Sequence, residues 1–220
     1  MDVLDAIKQR RSVTFFDPVR PVPDGLLREL IELANLAPSS FNLQPWRVVV
    51  VRDPASKRLL RKHALDQSKV EEAPVVLIII ADPDVEVNMN AMLDSWQELG
   101  YIKEDKRVVI SDMVRRRYGR EGSRERAIFA AKNAALFAMS LMLAAKGLGL
   151  ETHAMDGFDE EPMKEAFAIP EDKLVVMLLA VGYQKREVEL LPRAFRRSFE
   201  DLASFESYRV KGGRNSAPTD

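Results

Sequence analysis

Two stretches constrain this chain more than any others: Val75–Ala81 and Leu174–Gly182, each continuously apolar and rich in β-branched residues. A strand with one wet face alternates apolar and polar residues. A strand without alternation needs cover on both faces. These two runs therefore read as central strands under helices on either side. A matching helix lies between them at 124–146, with small pairs at Ala130-Ala131, Ala134-Ala135 and Ala144-Ala145 and large apolar residues on several sides. A helix apolar nearly all round belongs inside a domain or between subunits. Ser123 is placed to cap it, and Gly147 and Gly149 to end it.

Two further strands, about 47–52 and 150–155, complete the set. The four are separated by helices and one long excursion rather than by a regular βαβ alternation. That pattern predicts an α+β fold, a mixed or antiparallel sheet flanked by helices, and argues against a plain doubly wound sheet. Helices are expected from Val3 to the pair Arg10-Arg11, from an Asp24 cap with Leu27, Leu30, Ile31 and Ala34 as its stripe, from Asp53-Pro54 to about His63, and from Asp159 to near Phe167. With neither repeats nor a convincing linker, residues 1–211 read as one domain. The Gly-, Ser- and Pro-bearing tail from Gly212 to Asp220 reads as disordered. Residues 83–122 read as a charged helical excursion, a candidate lid, holding Trp96, Tyr101 and Tyr118.

Composition narrows the function classes. A net charge of −1 over 220 residues offers no field for nucleic acid or an anionic membrane. The absence of cysteine removes thiol nucleophiles and Cys-ligated metal centres. The acidic start Met-Asp-Val-Leu-Asp lacks the layout of a signal peptide, and the runs at 75–81 and 174–182 are too short to span a bilayer, so a cytoplasmic protein is expected. Gly147-Leu148-Gly149 lacks the third glycine of a dinucleotide fingerprint and sits at a helix end. Asp82, Asp84, Glu86 and Asn88 alternate like a calcium loop, but Val87 stands where glycine is needed, so they read as solvated loop charges. With only His63 and His153, a histidine-based triad or metal cluster is not expected.

Four segments carry chemistry instead. The loop Ala37-Pro38-Ser39-Ser40-Phe41-Asn42-Leu43-Gln44-Pro45-Trp46 presents hydroxyls and amides before a buried strand, though the same residues also make ordinary turns. Arg10-Arg11-Ser12 offers planar donors for a phosphate, or simply the cations common at a helix end. Met155-Asp156-Gly157-Phe158 follows a strand with a glycine that permits close backbone approach. Arg193, Arg196 and Arg197 form a basic cluster near the C-terminus.

In this order, over residues about 4–202, the four segments resemble the nitroreductase family of flavin enzymes. The resemblance implies a domain-swapped homodimer with FMN at its interface. NADPH or NADH would give hydride to flavin N5, and a nitroaromatic, quinone or similar small molecule would take it in ping-pong fashion. It further implies that Arg10, Arg11, Ser12 and Thr14 hold the FMN phosphate and ribityl chain, with Arg196, backed by Arg197, closing from the C-terminus. Met155, Asp156 and Gly157 would face the flavin edge, where a backbone N–H rather than a catalytic side chain meets N5. Pro38, Ser39, Ser40 and Asn42 would reach the partner's flavin, and Gln67 would lie near the pyrimidine ring. Phe41, Trp96, Tyr101 and Tyr118 are candidates for the acceptor pocket. Thr14 departs from the family, where a basic residue is common. The lost cation disfavours an anionic reduced flavin unless Lys69 or another base replaces it. A non-catalytic flavin store or interaction module acting through the charged 83–122 segment, or a same-fold reaction such as reductive dehalogenation or flavin fragmentation, stays open as an alternative.

Overall fold

A computed structural model of the chain describes residues 1–208. In order these form α1 (Val3–Gln9), α2 (Asp24–Ala34), β1 (Trp46–Val51), α3 (Pro54–His63), α4 (Lys69–Glu72), β2 (Val75–Ala81), α5 (Met89–Glu98), α6 (Arg107–Tyr118), α7 (Arg124–Gly147), β3 (Glu151–Met155), α8 (Glu160–Ala166), β4 (Leu174–Gly182) and α9 (Phe199–Leu202). They fall into two compact units, a body from Met1 to Val188 and a C-terminal unit beginning at Glu189. The tail expected to be disordered lies outside the described residues.

The body is built on one antiparallel sheet of order β1-β2-β4-β3. Its centre explains the two unbroken apolar runs. Every residue of β2 is buried, and the pleat sends them alternately to two cores. Leu77, Ile79 and Ala81 join Leu30 of α2 and Phe129, Phe137 and Leu141 of α7. Val76, Ile78 and Ile80 join Leu60 of α3, Val70 of α4 and Met163 of α8. A helical layer thus covers each face, as continuous apolar strands demand.

Several caps are where the sequence puts them. Asp53 Oδ2 accepts from Ser56 N at 2.9 Å, and Ser123 Oγ from Arg126 N at 3.3 Å. Others differ. Asp24 is the first residue of α2 rather than its cap; Pro23 takes the cap position, and the Asp24 carboxylate pairs with Arg52. Asp82 is not a solvated loop charge. It is 4% exposed and accepts from Lys173 Nζ at 2.7 Å, because an isolated carboxylate at that depth would be costly.

α7 is long and apolar enough to cross a bilayer by length and composition, a candidate the strand runs did not reveal. Phe129, Ala134, Phe137, Ala138 and Leu141 instead sit in the core of the body. Its outer stripe, Ile128, Leu136 and Met139, is exposed in the single chain. So is the apolar face of α1: Val3, Leu4 and Ile7 are 64%, 60% and 51% exposed, and only Ala6 of that helix is buried.

Candidate functional site

The residues singled out in the body gather at the two edges of the sheet. At the β3 edge, the chain leaves α1 and runs alongside the strand. Val13 N donates to Thr152 O at 3.1 Å, and the Val13 carbonyl meets His153 Nδ1 at 2.8 Å. Ser12 and Thr152 form a parallel bridge. Val13 is fully buried, so the alternation of extended backbone turns Ser12 and Thr14 outward, with Arg10 and Arg11 half-buried just before them. Gln67 joins this edge: its Nε2 donates to Gly157 O at 2.9 Å, and its Oε1 accepts from Lys69 Nζ at 3.0 Å. Met155 is buried and Asp156 exposed. A Cβ on Gly157 would lie 3.2 Å from Leu65 Cδ1 and 3.4 Å from Gln67 Nε2, so the glycine answers a close approach.

Burial acts on two bases of this edge. Burial lowers the Lys69 ammonium from its ordinary value, opposed by Glu72. Burial also lowers the His153 imidazole; its bond to Val13 opposes this, and the charge of Lys69 adds to it.

The β1 edge is different in kind. The loop entering β1 places Phe41, Asn42 and Gln44 at φ of 54°, 53° and 46°. Left-handed backbone is disfavoured for residues with a Cβ, least so for Asn. Bonds from three elements surround it. Ser40 N donates to Asn133 Oδ1 of α7 at 2.9 Å, and Asn88 Nδ2 donates to the carbonyls of Leu43 and Gln44 at 2.8 and 3.2 Å. Trp46 Nε1 donates to Asn35 Oδ1 at 2.9 Å while its ring stacks on Phe137 at 5.3 Å. Inside the loop, Ser39 Oγ accepts from Gln44 N at 2.9 Å. Pro38 and Asn42 stay exposed, and Ser39 and Ser40 are half-buried. Asn42, Gln44, Asn35 and Asn88 line a cleft of about 490 Å³ between the loop and α5.

Residues 83–122 are helical, as expected, and braced. Arg115 bridges α6 to Glu86 through both its Nε and Nη2 at 2.8 Å, and Arg107 pairs with Asp94 of α5 at 2.7 Å. Of the three aromatic candidates, Tyr118 is buried, 4.2 Å from the Phe129 ring and edge-on to Phe41 at 6.1 Å. It ties the excursion to the strained loop. Trp96 is half-buried against the core, and Tyr101 is 72% exposed. In the C-terminal unit, Arg196 donates to the carbonyls of Phe195 and Ala194 at 2.8 and 3.3 Å, and Arg197 is exposed.

Sequence reasoning gave Asn133 no place in a site. The one available signal is an amide in a helix rich in Ala, Phe, Leu and Met. Asn88 was noticed, but only for its place in an acidic loop.

Comparison with known proteins identifies the family. The nitroreductase family model matches residues 7–183. A Thermus thermophilus protein named NADH dehydrogenase is 38% identical over 187 residues, 85% of this chain and 89% of that one. A provisionally named NAD(P)H nitroreductase of Bacillus subtilis, YodC, is 33% identical over 82% of this chain and 89% of its own. The crystal structure of a provisionally assigned nitroreductase from Exiguobacterium sibiricum in complex with FMN superposes with a TM-score of 0.82 at 26% identity, covering 94% of this chain and 98% of that one. The match takes in the Arg10–Thr14 segment, the loop before β1 and the Gly157 turn together, and with them in place this chain belongs to the nitroreductase family.

Proposed function

We propose that this chain is an FMN-dependent NAD(P)H oxidoreductase, acting in the cytoplasm as a homodimer on a small acceptor such as a nitroaromatic or quinone. The observation that carries the reading is the β3 edge, where Arg10–Thr14, Gln67, Lys69 and Gly157 converge on one strand. Their chemistry suits the cofactor. Two guanidiniums and two outward hydroxyls match a phosphate and a polyol chain, an amide matches a pyrimidine edge, and a glycine turn lets backbone approach a flat ring. The relatives named for NAD(P)H and the FMN complex of a structural neighbour support the same assignment.

When bound, FMN supplies a two-electron carrier that takes hydride from NAD(P)H and yields it to the acceptor. The chain's own tasks are binding and orientation. Arg10 and Arg11 neutralise the phosphate, while Ser12 and Thr14 hold the chain that follows it. Gln67 fixes the Gly157 turn by its 2.9 Å bond. Lys69, held by Gln67 at 3.0 Å, brings a cation to an edge where position 14 has none. No side-chain acid is needed, and with FMN bound donor and acceptor would enter the same site in turn, a ping-pong order.

The loop before β1 stands at the opposite edge, about 14 Å away across four strands spaced by roughly 4.8 Å. A second copy, rather than the same chain, is positioned to bring Ser39, Ser40 and Asn42 to this flavin. The exposed stripes of α1 and α7 support pairing of chains. The test is the visible spectrum of purified protein, mass analysis of the released cofactor, and anaerobic addition of NADH or NADPH. Expected are FMN and bleaching by at least one donor. FAD, or no flavin after reconstitution, overturns the cofactor; bound FMN that neither donor bleaches leaves a flavin-binding protein without turnover. A stable monomer by light scattering at micromolar concentration overturns the dimer.

A further inference from the structure

We propose that Asn133, with Asn88, is a positioning residue: the two amides hold the Ser39–Gln44 loop in the strained form that presents Ser39, Ser40 and Asn42 to the cofactor. The proposal rests on the flavin reading above and deepens it.

Asn133 is 1% exposed, in the middle of α7 and among alanines and aromatics. Buried amides are kept where every polar atom has work. Here both do. Nδ2 donates to Phe129 O, one turn back, at 2.7 Å, and this fixes which way the amide faces. Oδ1 is thereby turned to the loop, where it accepts from Ser40 N at 2.9 Å. The next residue, Phe41, has φ of 54°, and a bulky residue there persists only when its surroundings over-determine it. Asn133 holds the backbone just before the strain. Asn88, half-buried where α5 begins, holds it just after, through the carbonyls of Leu43 and Gln44. Between the two grips the chain turns through Phe41 and Asn42 and leaves the Asn42 side chain exposed. A helix of the core and a helix of the excursion therefore share control of one cofactor-facing loop.

The experiment measures FMN affinity of the apo full-length protein, alongside its melting temperature, for wild type, Asn133→Leu and Asn133→Asp. Leucine fills the same space but cannot accept from Ser40. Aspartate keeps an acceptor oxygen but buries a carboxylate beside a carbonyl. Under the proposal the two rankings run in opposite directions. Asn133→Leu melts at or above wild type yet binds FMN about tenfold more weakly, while Asn133→Asp melts lower yet stays within about threefold of wild-type affinity. A filler role for Asn133 predicts that affinity follows stability, with Asp the weaker binder. That result, or wild-type affinity in Asn133→Leu, overturns the proposal and leaves the flavin reading standing. If Asn133→Leu does not fold, Asn88→Ala carries the test, and wild-type FMN affinity there overturns the shared grip. A wild-type chain that binds no FMN overturns the flavin reading and this proposal with it.

Discussion

The two edges of the sheet are built by different physics. At the β3 edge the candidate segment is ordinary extended backbone, held by ladder-like bonds at Ser12–Thr152 and Val13–Thr152, so regular structure does the positioning. At the β1 edge the functional loop adopts left-handed backbone at three residues bearing side chains, held in shape by amides from α5 and α7. An edge carried by a strand depends on little beyond the strand. An edge carried by strain depends on everything packed around it.

The comparison breaks most visibly at Phe137. Its ring stacks on Trp46 beneath the strained loop, and both residues are buried. Phe137→Ala should cost about 3–5 kcal/mol in denaturant unfolding, with loss of the loop's footing. A cost below about 1 kcal/mol, the scale of a site that collapses onto the gap, would mean that the β1 edge is not anchored there. An intermediate effect is expected from the arginines of the C-terminal unit. Arg196→Ala should weaken FMN binding by about ten- to a hundredfold, the worth of one charge-assisted phosphate bond of roughly 1.5–3 kcal/mol, and Arg197→Ala by less. Equal small losses in both would remove Arg196 from the phosphate, and a larger loss in Arg193→Ala would move the contact there.

The smallest effect concerns the β3 edge and pH. Burial holds the His153 imidazole below its ordinary value of 6.5. As pH falls below 6.5 the unfolded chain takes up a proton that the folded chain resists, so stability is lost with acid, not gained. The melting temperature of wild type should therefore fall more steeply below pH 6.5 than that of His153→Gln. Parallel curves would show that His153 holds Val13 without sensing protons.

What could be read from sequence follows the range of the interactions. β2 and β4 were legible because cover on both faces writes itself into consecutive apolar residues. The caps Asp53 and Ser123 were legible because their partners lie three residues away. Asp24 was misread because Arg52, 28 positions on, competes for its carboxylate. Asp82 was misread because Lys173 stands 91 positions away. In the candidate site, glycine, arginine and serine drew attention to the β3 edge by residue type alone. The strain at Phe41 left no local trace, and the grip of Asn133 across 93 positions showed only as an amide in an apolar helix.

The strand order also sets when the site can exist. β1 and β2 pair across a short stretch of chain, as do β3 and β4, but the seam between β2 and β4 joins residues roughly a hundred positions apart, and closing such a loop is slow. Each half carries one edge of the sheet. A chain emerging from the ribosome could complete the first strand pair early and still lack its other half, because β4 ends only at Gly182. Cofactor capture is then a late event in synthesis, gated by the arrival of the strand that sews the two halves together.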